Sequence, residues 1–206
     1  MSEYHKIQTV YLRDPATKHR TLLDGQWATP EFEYLRSADW VFTEKVDGTN
    51  IRVIVADGTV KFGGKTDKAQ ISVKLLDRLN ELFPPAALVE AFPDGAVLYG
   101  EGYGAGIQAA GAEYGPRQDF VLFDVRVGPW WLQRDSVVDI ARRLDVPVVP
   151  VIGTGTLIDA IIKVRDGFAS HWGNFPAEGI VARPRVELCT RARERIITKI
   201  KTKDFR

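Results

Sequence analysis

The stretch EKVDGTNIRV at 44–53 runs a lysine off the end of one strand pattern, turns at Asp47-Gly48 and starts a second strand pattern at once. WVFTEK at 40–45 and NIRVIVAD at 50–57 are rich in β-branched and aromatic residues, so Lys45 is expected at the rim of a sheet. Downstream, Asp57-Gly58 joins 50–57 to TVKFGG at 59–64 with a two-residue hairpin signal, and the three segments read as an antiparallel meander. A helix is predicted within 67–83, where Ile71, Leu75, Leu79 and Leu82 recur at three- and four-residue steps until Pro84-Pro85 stops it. Strand patterns resume in AVLYGE at 96–101 and DFVLFDVRV at 119–127. Two more helices are predicted, one over 136–144 with Ser136 and Asp139 in capping-box register, the other over 157–167 after Thr156. GIVARP at 179–184 and RIITKIKT at 195–202 close the chain as strands. Strands clustered at both ends with helices between them predict an α+β fold of mostly antiparallel sheets flanked by helices, not a doubly wound one.

The chain has 206 residues, 45% of them apolar and 27% charged, which fits one globular domain and excludes disordered and fibrous classes. A single cysteine, Cys189, cannot form an internal disulfide, and with His5, His19 and His171 it gives no zinc-site spacing. The opening MSEYHKIQTVYLRD carries charges where a signal peptide needs an apolar core, and the longest apolar run, VPVVPVI at 146–152, is short and broken by proline. A cytoplasmic monomer without a membrane anchor is the expectation. The net charge of +1 hides an asymmetry: residues 183–206 hold nine Lys/Arg against three acids, a balance of +6, on a body of −5. Such a segment is a footprint for phosphates, or else a solvated charged tail.

Two glycine-rich decoys carry little. Gly64-Lys65-Thr66 ends like a P-loop, but position 59 is Thr, with Gly58 one residue too early. Gly100, Gly102, Gly104 and Gly106 alternate by two and lack the three-residue step of a dinucleotide fingerprint.

Five ordered segments resemble the motifs of the covalent nucleotidyltransferases, the superfamily of ATP-dependent DNA and RNA ligases and mRNA capping enzymes. EKVDGTN at 44–50 is similar to the nucleophile motif, LYGEGYG at 98–104 to motif III, DFVLFDV at 119–125 to motif IIIa, EGIVAR at 178–183 to motif IV and KIKTKDF at 199–205 to motif V. Asn50, the GIQ at 106–108 with Tyr114 following, and the Phe-Asp of motif IIIa are most similar to phage-like RNA ligases of the RNA ligase 2 type. The resemblance implies the ligase and capping-enzyme fold, which is ATP-grasp-like, over a single nucleotidyltransferase domain at 1–206. Motif V reaches Phe205, so no C-terminal OB-like or other appended domain is expected.

The implied chemistry is self-adenylylation of Lys45 by ATP with Mg²⁺ or Mn²⁺, transfer of AMP to an RNA 5′-phosphate, and sealing to a 3′-hydroxyl, as in RNA repair. Alternatives are an ATP-dependent DNA ligase and a catalytically weak module that binds nucleotides or RNA ends. A free lysine amine, with a pKa of about 10.4, is an ammonium ion at neutral pH, so a nucleophilic lysine needs nearby cations that disfavour its charge. A divalent metal and Lys199, Lys201 and Lys203, alternating on one strand face, are the expected source, and the same lysines would neutralise the triphosphate. Role by role, the resemblance implies Lys45, Lys199 and Lys201 as catalytic groups. Glu101 and Glu178 are implied for metal or ribose, Phe123 for stacking on adenine with Phe120 as its substitute, Glu44 for facing the base mainly through its backbone, and Asn50 for a nucleotide contact. Lys65 stands where an arginine is often found, twenty residues after the nucleophile; it keeps the charge but loses the two-pronged fork. Each has a plainer alternative: a solvated hairpin lysine for Lys45, strand-end carboxylates for the two glutamates, a buried strand residue for Phe123. Arg52 faces either solvent or phosphate, and Trp130-Trp131 forms a stacking platform or pairs one core ring with one edge ring.

Overall fold

The computed structural model describes residues 3–206 and forms two compact units. The strands in chain order are β1 Gln8–Thr9, β2 Tyr11–Arg13, β3 Leu22–Trp27, β4 Trp40–Glu44, β5 Thr49–Ala56, β6 Thr59–Gly63, β7 Ala96–Tyr103, β8 Asp119–Val127, β9 Trp130–Trp131, β10 Val151–Gly155, β11 Gly179–Pro184 and β12 Thr198–Lys201. The helices are α1 Pro30–Tyr34, α2 Val73–Leu82, α3 Pro85–Ala91, α4 Gly111–Tyr114, α5 Arg134–Arg143 and α6 Leu157–Asp166. No helix among the described residues is long and apolar enough to cross a membrane.

The first unit comprises Asp47–Val149 with the N-terminal residues through His5, around an antiparallel sheet in the order β6-β5-β7-β8-β9. Alternation along β5 buries Ile51, Val53 and Val55 on one face. There they meet Leu98, Phe120, Leu122 and Val125 under Leu75 and Leu79 of α2, Leu88 of α3, and Val137 and Ala141 of α5. Each fully buried Leu or Phe contributes about 1.5–3 kcal/mol of apolar transfer energy. The β5–β6 hairpin turns on Asp57 and Gly58 at φ 49° and 65°, the two positive angles a type I′ turn requires, as the Asp-Gly pair predicts. The opposite face of the same sheet carries Asn50, Arg52, Glu101 and Asp124.

The second unit, Lys6–Val46 with Pro150–Arg206, is built on a sheet in the order β1-β12-β11-β4-β10, with the short β2–β3 ladder beside it in sequence. All pairings in the larger sheet are antiparallel except β1 with β12. Its core packs Trp40, Phe42, Ile180, Ala182 and Ile200 against Leu157, Ala160, Ile161 and Val164 of α6. α6 starts after Thr156 as expected, and Thr156 with Asp159 forms a capping box there.

Three local expectations are corrected, and the proline stop is met with an addition. The strand at 40–44 does not join a meander with β5; it pairs with β11 and β10 in the other unit's sheet. The helix expected over 67–83 begins only at Val73, because Ser72 caps it by accepting from the Leu75 amide and residues 64–70 are held as a loop. Pro84-Pro85 ends that helix and also opens α3, with Pro85 in the first turn, where a missing N–H costs nothing. Finally, α5 starts at Arg134, so Ser136 lies inside the helix and is not its cap.

Candidate active site

In the second unit, β4 delivers Lys45 just beyond its end. Trp40, Phe42 and Glu44 alternate toward the core, so Lys45 falls on the opposite face with Thr43. The Lys45 amide donates to the Gly179 carbonyl at 2.9 Å, continuing the β4–β11 pairing by one residue, and Gly179 is in turn the register partner of Lys201. Lys45, Gly179 and Lys201 therefore form one row across three strands. Gly179 sits at φ 152°, and a Cβ there would lie 2.1 Å from the Ile200 carbonyl oxygen, so only glycine fits between the two lysines.

Glu178, the residue before Gly179, bridges the row. Its Oε2 accepts from Lys45 Nζ at 2.6 Å and its Oε1 from Lys201 Nζ at 2.6 Å. The three side chains are 21%, 13% and 19% exposed for Lys45, Glu178 and Lys201, reachable by solvent yet largely enclosed. Lys199, two residues before Lys201, shares its face, while Thr198 and Ile200 point into the core. Lys203, expected on the same face, is exposed in a 3-10 turn at Thr202–Phe205, because the strand ends at Lys201.

Glu44 is buried, and its carboxylate is fully engaged: Ser170 Oγ donates to it at 2.6 Å and the His171 amide at 2.8 Å. The side chain thus anchors the 170–172 turn to the residue before Lys45. Nothing in the sequence pattern singled out Ser170 or His171, because they lie 126 and 127 residues from their partner.

In the first unit Asn50 and Glu101 share the sheet face opposite the core. Asn50 and Glu101 are direct register partners on β5 and β7, so their side chains stand side by side. Asn50 Oδ1 is buried and has no hydrogen-bond partner among the described residues. The Asp47-Gly48 turn beside them is tied down twice: Gln108 donates to the Gly48 carbonyl at 2.9 Å, and the Asp47 amide donates to the Tyr114 hydroxyl at 3.1 Å. A Cβ on Gly48 would lie 2.2 Å from the Gly102 oxygen and 2.7 Å from Glu101 Cγ. Gly48→Ala is therefore expected to cost about 1–3 kcal/mol of stability and to displace Glu101, lowering both the melting midpoint and any activity that uses that carboxylate.

Phe123 is the extra residue of a bulge: β8 pairs Leu122 with Gly100 and Asp124 with Tyr99, leaving 123 unopposed and re-aimed. Its ring meets Tyr4 edge-on at 5.1 Å, and Tyr4 also packs on Tyr99. Phe120, the proposed substitute, is fully buried in the core against Phe83 and Gly100, so it cannot serve. Of the tryptophan pair, Trp131 packs among Tyr4, His5 and Tyr99, whereas Trp130 is exposed.

Arg52 faces neither solvent nor an open site. It is buried, donates to the Gly64 carbonyl at 2.8 Å and pairs with Asp67 at 2.7 Å, which fixes the loop bearing the exposed Lys65. The hydrogen bond from Arg52 holds the Asp67 carboxyl below its ordinary value of 3.8. A carboxyl lowered in the folded state stabilises the fold above its unfolded pKa and loses that contribution as pH falls through the folded one. Wild type is accordingly expected to melt above Asp67→Asn near neutrality, with the gap closing below about pH 4 in acid-titrated melts.

The family model for RNA ligase matches residues 38–201. The chain belongs to the RNA ligase family. Among solved structures, this RNA ligase family member is similar to a lysine-to-alanine mutant of the Naegleria gruberi RNA ligase with ATP and Mn, at 16% identity and TM-score 0.73, covering 100% of this chain and 57% of that one. A glutamate-to-alanine mutant of the same ligase with ATP and Mn gives 17% and 0.72 over 98% and 56%, and the ligase with PPi gives 17% and 0.70 over 100% and 59%. These likenesses show the ligase-type nucleotidyltransferase fold that the motifs imply. The chain spans less than two thirds of the solved ligases it matches. No curated protein sequence matches it.

Proposed function

We infer that this chain is the adenylyl-transferring part of an ATP-dependent RNA ligase. The observation that carries the reading is the row Lys45, Gly179, Lys201 with one carboxylate, Glu178, held between the two amines. Lys45 as the free amine attacks the α-phosphorus of ATP; a nitrogen–phosphorus bond forms, the bond to the β-phosphate oxygen breaks with pyrophosphate leaving, and the proton lost from nitrogen passes to the solvent that reaches this partly exposed side chain. Lys201 and Lys199 lie where positive charge offsets what develops on the phosphates. AMP then passes from Lys45 to a 5′-phosphate, and attack by a 3′-hydroxyl expels it.

Glu178 in the second unit is a hard carboxylate donor; in the first unit Glu101 is another, and the orphaned Asn50 Oδ1 beside it is an oxygen able to meet a ribose hydroxyl or an ion's water. No group of three or more His, Cys, Asp or Glu among the described residues could hold a metal unaided, which suits Mg²⁺ or Mn²⁺ carrying its own water and the substrate's phosphates. When bound, such an ion supplies charge neutralisation at the triphosphate. Glu44, anchored by Ser170 and His171, fixes the backbone that presents Lys45.

The test is incubation with α-labelled ATP and Mg²⁺ or Mn²⁺, followed by joining assays on matched RNA and DNA ends. Covalent label mapped to Lys45 with RNA joined preferentially is the expected result. Absence of label, or preferential joining of DNA, overturns the reading.

A further inference from the structure

A cleft of about 820 Å³ opens in the second unit between the N-terminal segment and β12, and Lys199 and Lys201 form part of its wall. Its other charged lining comes from Lys6, Arg13, Arg20, Lys203 and Asp204. The one acid among these is already spent: Arg13 grips Asp204 through two bonds of 2.7 and 2.9 Å. Arg13 also donates to the carbonyls of His19 and Arg20 at 3.3 and 3.1 Å, so a buried-end ion pair organises the turn that presents Arg20. That turn is unusual, with Lys18 and His19 both left-handed at φ 54° and 61°. Lys6, Arg20 and Lys203 are exposed and have no ion-pair partner among the described residues.

We propose that this cleft grips the sugar-phosphate backbone of the RNA strand being joined, with Lys6 and Arg20 as its phosphate contacts. The proposal rests on the RNA ligase reading above. A triphosphate alone does not account for the cleft. Its volume falls in the range that takes a whole drug-sized ligand, and Ile7, Leu12 and Ala28 add apolar wall that a polyphosphate cannot use but sugars and base edges can. The cations also continue from the Lys199–Lys201 face outward to the exposed chain at 6–20, which gives a strand a track of positive charge ending at the site.

The variant Lys6→Gln/Arg20→Gln changes two exposed side chains and is expected to fold normally. Binding of a 5′-phosphorylated single-stranded RNA oligonucleotide is followed by fluorescence anisotropy at several salt concentrations. Releasing about 0.7 counterion per phosphate contact, two lost contacts lower the salt slope by about 1.4 and the affinity at 0.1 M salt by about 25-fold. Adenylylation by ATP without RNA is expected to stay within about twofold of wild type. An unchanged RNA affinity and slope overturns the proposal. So does loss of adenylylation with RNA binding intact, which assigns the cations to the triphosphate. If wild type binds RNA with the expected slope but never takes label, the ligase reading fails while the cleft assignment stands.

Discussion

Lys45→Ala protein incubated with α-labelled ATP and Mg²⁺ is expected to carry no covalent label above background, while wild type is labelled. Alanine removes the nitrogen that the proposal assigns to the bond, and the other amine of the row, Lys201, is already committed to the other oxygen of Glu178 at 2.6 Å. The folded state should tolerate the change. Glu178 keeps Lys201 as its partner, so the loss is one ion pair from a bridged set in a partly solvated site, about 1 kcal/mol or less. Lys45→Arg sharpens the test, since it preserves charge and pairing but offers no nucleophile, and it should be equally unlabelled with an unchanged melt. Label surviving in either variant places the nucleophile elsewhere.

What the sequence made legible, and what it did not, follows from the range of the interactions involved. The Asp57-Gly58 hairpin and the start of α6 after Thr156 are local, completed within a few residues, and both stand in the structure where the sequence predicts them. The five motif segments lie on or at the ends of β4, β7, β8, β11 and β12, because strand patterns and turn chemistry are written in adjacent residues. Partner choice is not. The alternation in 40–44 says strand, but its pairing to β11 is settled by residues well over a hundred positions away, so the meander was the wrong sheet for it. Arg52 illustrates the same limit: its place on the strand after a candidate nucleophile leaves solvent and phosphate both open, yet Gly64 and Asp67 close over it as internal partners. Glu44 is expected to face the base mainly through its backbone, and its carboxylate is taken up by Ser170 and His171, two residues without any motif. The N-terminal strands were missed because β1 and β2 have two and three residues and β3 holds only a few apolar positions, too short for periodicity to register.

Glu178→Ala is expected to lower the rate of Lys45 adenylylation by about 100-fold, a loss of roughly 2.7 kcal/mol in transition-state stabilisation. Two effects compete in that number, and they can be separated. Without the carboxylate, two ammonium groups that shared its oxygens face one another on a single sheet face. At a separation of about 5 Å and an effective dielectric constant near 20, their repulsion is roughly 3 kcal/mol, enough to push the side chains apart and depress the melt. If Glu178 served only as that counterion, removing the second ammonium should cure the defect. Lys201→Met in the Glu178→Ala background should restore the melting midpoint but leave labelling at or below the level of the single variant, because both a phosphate-facing cation and an oxygen ligand are then gone. Glu178→Gln belongs between these cases: its amide oxygen accepts from one lysine only and is a weaker ligand for a hydrated Mg²⁺ than a carboxylate. Recovery of labelling in the Glu178→Ala/Lys201→Met protein would reduce Glu178 to a structural spacer between two lysines, and adding the Lys201→Met single variant closes the cycle with wild type, Glu178→Ala and the double variant, giving the coupling energy that decides it.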